Sequence, residues 1–266
     1  MRQLDMSSKA AALITGASGG IGYELAKVFA RQGHDLVLVA RSQDKLSLLA
    51  EDLHAASGIN VKVLAKDLSH PTAVPEIIAE LQQSAIRIGC LVNNAGVDVY
   101  GYFHDTDWAQ ESHMIQLTLV SLTHLTKLLL VDMRQEGSGR ILNLGSTGSF
   151  VPTPLNAVYS ATKAYVWSFS LALAEELKGT GITVTLLCPG ATRTEFQARA
   201  HIENVRLLRF GVMEAAAVAE AGYRAMMSGR RMVVPGLYNQ LQVLLARWLP
   251  SSLMARMAKA MLDPLS

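Results

Sequence analysis

Residues 11–22 read Ala-Ala-Leu-Ile-Thr-Gly-Ala-Ser-Gly-Gly-Ile-Gly. An apolar run of strand character passes into glycines at 16, 20 and 22, and a helical pattern begins at Ile21. Where no Cβ stands in the way, backbone amides and a helix N-terminus can close on a diphosphate. The spacing is TGxxxGxG rather than the GxGxxG of the commonest dinucleotide fingerprint. A glycine cluster alone is equally compatible with a simple tight turn. Set directly between a first strand and a first helix, it marks Gly16, Ser18, Gly20, Ile21 and Gly22 as candidate cofactor contacts.

Outward from that turn the same alternation repeats. Leu36-Val-Leu-Val39 leads into a helical stretch at 45–56, and Val61-Lys-Val-Leu64 into another near 74–83. The run at 88–92 ends in Asn93-Asn94-Ala95-Gly96, and Ile141-Leu-Asn-Leu144 and 182–187 complete the series. These strands are near-continuous apolar runs, as burial on both faces requires. The pattern predicts an α/β, Rossmann-like doubly wound parallel sheet with helices on both faces. No repeat, low-complexity tract or Pro/Gly/Ser-rich linker divides the 266 residues. One cofactor-binding domain over 1–266 is expected.

Composition narrows the function classes. Half the residues are hydrophobic and 17% charged, which excludes disorder and coiled coil. The 24 Lys+Arg balance 22 Asp+Glu without any basic run, so nucleic-acid binding is not expected. Cys90 and Cys188 lie far apart in apolar runs, and no His or Cys spacing suits a metal. That usage fits a reducing cytoplasm. Neither a signal-peptide pattern at 1–9 nor an unbroken run of 18 apolar residues is present, so no membrane span is expected.

The second strand ends at Ala40 and is followed by Arg41. A carboxylate in this region would accept from the ribose 2′-hydroxyl of NAD, whereas a guanidinium suits a 2′-phosphate. Arg41 therefore favours NADP(H) over NAD(H), against the plainer reading of a solvated strand-end arginine. Further on, Tyr159 and Lys163 are four residues apart, on one helix face. Ser146 follows the strand at 141–144, where loops of parallel sheets line the ligand crevice. A phenol of pKa near 10 is a poor base, and a neighbouring ammonium favours its phenolate. Singly, these residues could be a helix aromatic, a solvated charge and a turn serine.

With the glycine loop they resemble the classical short-chain dehydrogenase/reductase family. The resemblance rests on Thr15-Gly-Ala-Ser-Gly-Gly-Ile-Gly22, Asp67-Leu68, Asn93-Asn-Ala-Gly96, Ser146, Tyr159-x-x-x-Lys163 and Cys188-Pro-Gly190, in family order. It implies that the glycine loop binds the pyrophosphate, that Asp67 bonds the adenine amino group with Leu68 beside the ring, and that Asn94 lies along the adenosine ribose. It makes Tyr159 the acid/base, Ser146 the group that orients the substrate oxygen, and Lys163 the holder of the nicotinamide ribose. Pro189, Gly190 and Thr192 would pack on the nicotinamide, and Thr194 would reach the phosphates. Family members usually carry an Asn on the helix before Ser146, supporting a water that leads from the lysine to solvent; here that position is Thr118. A hydroxyl is shorter than the amide and has one donor against two, which leaves the relay open. The same analogy makes 195–266 the substrate side and implies a homodimer or homotetramer.

The expected activity is an NADP(H)-dependent interconversion of a carbonyl and a secondary alcohol, run as a reductase on a ketone, aldehyde or 3-oxoacyl-type small molecule. The alternative is a cofactor-binding regulatory or scaffold protein with little turnover, for which Thr118 is the sole pointer. The stretch 197–210 is polar and carries Arg199, Arg206 and Arg209, with Arg193 just before it. It reads as a solvated helix face or a site for an anionic substrate group. A helix is expected from Met213, and the tail predicts two more at 237–249 and 253–262. Their apolar residues recur at helical spacing, and Arg247, Arg256 and Lys259 are the only charges. This amphipathic tail has two readings: a pocket lid or subunit contact, and peripheral attachment to a membrane surface.

Overall fold

The structure, a computed structural model, describes residues 10–195, 205–206 and 211–263. The expected stretch 197–210 therefore lies outside the described residues, apart from Val205 and Arg206.

Apolar runs form the strands β1 (Ala11–Thr15), β2 (Leu36–Ala40), β3 (Val61–Ala65), β4 (Ile88–Asn93), β5 (Gly139–Leu144) and β6 (Ile182–Leu187). With β9 (Met232–Val233) they make one seven-stranded sheet of order β3-β2-β1-β4-β5-β6-β9, every neighbouring pair parallel. The chain runs outward from β1 to β3 and then returns to pair β4 on the other side of β1. At such a reversal the crossovers diverge and open a crevice beyond the strand C-termini.

Alternate side chains of each strand enter opposite cores. Leu13, Leu91 and Ile141 pack under α3 (Ala73–Gln83), α5 (Leu122–Gln135) and α6 (Ala157–Glu176), meeting Ile77, Leu125 and Leu173. Ile14, Val92 and Leu142 face α1 (Gly20–Arg31), α2 (Gln43–Ser57) and α7 (Ala215–Met227), meeting Phe29, Leu46 and Met226. Both faces are covered, which is why the strand sequences show no polar alternation.

Three details depart from the sequence reading. First, Met213–Glu214 is a strand, β8, paired in parallel with β7 (Thr192–Arg193), and the helix starts only at Ala215. Met213 N–H donates to Ala191 O and Arg193 Nε pairs with Glu214 at 2.9 Å, contacts that outweigh the local helical preference. Second, α4 (Trp108–Ile115) continues through a π-helical turn at Gln116–Ser121 into α5. The resulting 28-residue helix is long and apolar enough to cross a membrane by length and composition. Here its Met114, Leu125, Leu129 and Met133 are core residues, while Val120 and Val131 stay exposed. Third, β9 lies where no strand was expected. The tail helices do form, as α8 (Leu237–Trp248) and α9 (Ser251–Leu262).

Candidate active site

The crevice at the strand C-termini is a cavity of about 780 Å³. Sheet order spreads its walls in space: Asp67 follows β3, Arg41 follows β2, the glycine loop follows β1, Asn94 follows β4, Ser146 follows β5 and Pro189 follows β6. Of the sequence-predicted positions, only Gly22 and Thr118 do not line it.

The glycine loop is shaped for close backbone approach. Gly16 and Gly20 have φ of +67° and +56°, and a Cβ on Gly16 would stand 2.8 Å from Asn94 Nδ2 and 2.9 Å from Ala95 Cα. A Cβ on Gly22 would come within 2.3 Å of Gly16 O, so that glycine seats α1 on the loop rather than facing a ligand. Thr15 locks the turn from below: its hydroxyl accepts from the N–H of Asn94 and of Ala95, each at 3.0 Å, and donates to Val92 O.

Asn94 lines the cavity and has a structural task beside the ribose role implied by resemblance. Its Nδ2 donates to Thr15 O at 2.9 Å and Gly16 O at 3.2 Å and so braces the loop. Asn93 is a brace as well, donating to Thr126 Oγ1 and Asn143 Oδ1 and so tying β4 to α5 and β5 within the core. Gly190 also has a structural partner: a Cβ there would meet Asn239 Oδ1 at 2.2 Å, so α8 seats against the Pro189-Gly190 loop.

At the β2–β3 side Arg41 is exposed and close enough to Asp67 to act on its charge. Burial opposes ionisation of Asp67, yet hydrogen bonds from Ser69 N–H and Oγ–H, with the charges of Arg41 and His113, hold its carboxyl below the ordinary value. Lys45 and Lys66 also line this end, and sequence reading singled out neither. Each has carboxylate partners, Lys45 with Glu195 and Lys66 with Glu76 and Glu80.

At the β5–β6 side three side chains converge. Ser146 is extended at the mouth of β5 and its Oγ accepts from Gly148 N–H at 3.0 Å. Its hydroxyl hydrogen-bonds Tyr159, which sits two positions inside the start of α6. Lys163, one turn later and 5% exposed, places Nζ 5.7 Å from the Tyr159 ring centre and donates to Leu144 O at 2.9 Å.

The electrostatics correct one expectation. Burial, with the nearby Asp98, holds the Tyr159 phenol above its ordinary value, and the Ser146 hydrogen bond only partly offsets this. Burial lowers Lys163 to about 8, against the opposing pull of Cys188 and Asp98. An ammonium beside the ring therefore does not by itself bring the phenol down, because desolvation of both groups is the larger effect.

Asp98 is the site residue that sequence reading missed. Burial lifts its carboxyl to about 6, against the Asn156 hydrogen bond, the Val99 N–H and the Lys163 charge. Both of its oxygens accept from Asn156 Nδ2 at 2.6 Å, and Asn156 is the N-cap of α6, three residues before Tyr159. Asp98 thus ties the loop after β4 to the start of the helix that carries Tyr159 and Lys163. Nothing local marks it in the chain, since an aspartate two residues past Asn-Ala-Gly reads as an ordinary loop residue.

Thr118 lies in the π turn, 2% exposed, with no partner for its hydroxyl. A Cβ on Gly96 would be 4.0 Å from Thr118 Oγ1 and 3.7 Å from Lys163 Nζ, so both polar atoms face the same side of that glycine.

A Rossmann-type sheet with a glycine turn at its reversal point and a Ser-Tyr-Lys cluster across the crevice defines a nucleotide-dependent oxidoreductase. The sequence profile of the short chain dehydrogenase family matches residues 10–204, and the chain belongs to that family, whose members bind NAD(P)(H). It is 38% identical over 186 residues to sulfoacetaldehyde reductase 2 of Chromohalobacter salexigens, covering 69% of this chain and 73% of that protein. It is 36% identical over 183 residues to very-long-chain 3-oxoacyl-CoA reductase-A of Danio rerio, covering 67% of this chain but 56% of that protein. Among solved structures, a short-chain dehydrogenase from Sphingobium yanoikuyae in complex with NADPH aligns with a TM-score of 0.81 at 38% identity, over 90% of this chain and 91% of that one. The chain spans 56–62% of the length of several relatives that it matches.

Proposed function

We propose that the protein is an NADP(H)-dependent reductase of a lipophilic ketone, aldehyde or 3-oxoacyl compound. The observation that carries this is the convergence of Ser146, Tyr159 and Lys163 in the same cavity that the glycine loop opens. A dinucleotide fits the residues present: the loop has no room for Cβ atoms where backbone must approach a diphosphate, and Arg41 with Lys45 supplies cations at the side where a 2′-phosphate would lie. When bound, the nicotinamide supplies the hydride.

The chain's own residues do the rest. Tyr159, held protonated by its surroundings, donates its proton to the carbonyl oxygen as negative charge develops there. Ser146 holds that oxygen through its hydroxyl, a donor aimed where charge appears. Lys163, anchored to Leu144 O, replaces the phenolic proton and would hold the nicotinamide ribose when the cofactor is bound. The Thr118 hydroxyl can hold a water behind Lys163, although its single donor makes a poorer relay than an amide would. Asp98 keeps the phenol protonated and fixes the start of α6.

The relatives' names point to carbonyl substrates as unlike as sulfoacetaldehyde and a very-long-chain 3-oxoacyl-CoA, so the walls must choose. Among the described residues on the substrate side they are Leu241, Leu245, Met254, Met257 and Met261, with Asp98 as an acid and no arginine. Such walls disfavour a sulfonate or carboxylate and favour an apolar body. Cytoplasmic NADPH pools set the direction toward the alcohol. The test is NADPH oxidation against a carbonyl panel graded in size and charge. Turnover rising with apolar size is expected, and a preference for small anionic aldehydes would overturn the substrate class.

A further inference from the structure

The tail helices carry an apolar surface that the fold leaves exposed. Leu237, Leu241, Leu244, Leu245 and Trp248 recur at one-face spacing along α8, and Leu237 and Trp248 remain 83% and 81% exposed. The opposite face buries Asn239 and Val243 and anchors the helix. On α9, Leu253 and Met257 are exposed in the same way. Between residues 237 and 262 the only charges are Arg247, Arg256 and Lys259, with no acid among them. Both arginines are exposed. Tyr102, half-exposed, adds an aromatic ring 5.6 Å from Lys259 Nζ. Leu241, Leu245 and Met257 also line the cavity, so its apolar wall runs continuously onto this surface.

We propose that α8 and α9 dock the protein on an anionic phospholipid bilayer, lying in the interface with the cavity mouth turned toward the lipid. A lid closing within the chain would bury Leu237 and Trp248, which are among the most exposed apolar side chains described. A second copy meeting this face would have to desolvate Arg247 and Arg256, for which the tail helices themselves offer no carboxylate partner. A leaflet of anionic headgroups accepts the Leu and Trp side chains and neutralises the cations together. The proposal deepens the reductase reading, and rests on it, only for what enters the mouth: a lipophilic carbonyl partitioned into the bilayer. Docking itself is measured without turnover.

The experiment sediments the full chain with vesicles of phosphatidylcholine alone or with 30% phosphatidylglycerol. Each basic residue near an anionic leaflet strengthens binding by about fivefold at low salt, so at least a tenfold preference for the anionic vesicles is expected, lost as salt rises. The double variant Leu244→Glu/Trp248→Glu, neither residue lining the cavity, should lose vesicle binding more than tenfold while its NADPH affinity is unchanged. Arg256→Glu, which leaves the apolar surface intact, should reduce the anionic preference alone. No sedimentation of the wild type with either vesicle, or equal binding to both, overturns the proposal. So does a wild-type dimer in ultracentrifugation that Leu244→Glu/Trp248→Glu dissociates, since a second copy is then the occupant. Failure of the carbonyl panel with vesicle binding intact would count against the reductase reading and leave the docking surface standing.

Discussion

Asp98 shows how one side chain sets both chemistry and stability. Its carboxyl is lifted from an ordinary value of 3.8 to about 6, so the folded state binds the extra proton between those values. Stability from this group is present below pH 4 and is lost as pH rises through 6. Asp98→Asn should therefore stabilise the protein above pH 6, by about 3 kcal/mol at most, and give no gain below pH 4. The new amide can also donate to Asn156 Oδ1, which has no partner at present. Thermal melts across pH 3–8 check this. The same change removes a negative charge that raises the Tyr159 phenol, so the pH midpoint for alcohol oxidation should move down. Tyr159→Phe removes the proton donor but keeps the ring. It should fold, bind NADPH and lose about 10²–10⁴ in turnover, the usual contribution of a positioned acid. Near-normal turnover by that variant would rule out the proposed proton donor.

At the scale of elements, the junctions of strand and helix carry the design. Gly22 begins α1 against Gly16 O, with no room for even a methyl group. Gly22→Ala must push the helix off the loop. A cost of about 1–3 kcal/mol in stability is expected, as for other overpacked sites, with NADPH affinity reduced more than tenfold in titration. The π turn makes a second junction. It buries the Thr118 hydroxyl without a partner, and an unsatisfied buried hydroxyl costs about 1–3 kcal/mol. Where no water satisfies that hydroxyl, Thr118→Val should raise the melting temperature. If the hydroxyl holds a relay water, the same variant should turn over more slowly, while Thr118→Asn should match or exceed wild type. Equal rates in all three proteins would show that the hydroxyl is merely a packing residue.

For the whole molecule, the cavity links both halves of the sheet, and a ligand that fills it should stabilise the entire fold. NADPH at a hundred times its dissociation constant should add about 2.7 kcal/mol, seen as a rise of several degrees in melting temperature. NADH at the same concentration should give less, because Arg41 and Lys45 would then have no 2′-phosphate to neutralise. Arg41→Asp should reverse that order. Equal shifts from the two nucleotides in the wild type would remove the argument for NADP(H).

The parallel sheet, its burial on both faces, the glycine turn and the helix that sets Tyr159 and Lys163 on one face were legible in the chain. Each is expressed by local periodicity or by spacing within a few residues. Apolar continuity reports two-sided burial, and a four-residue interval reports a shared helix face. What only the tertiary structure decided depends on atoms brought together from distant segments. Asp98 meets Asn156 across 58 positions, Asn94 Nδ2 braces the loop at Thr15 and Gly16, and Met213 pairs as a strand with Thr192 because the chain returns there. The sign of the Tyr159 shift belongs to the same class. It depends on how much water the fold removes from the phenol and its lysine, and desolvation is a property of the packed interior that no spacing of residues encodes.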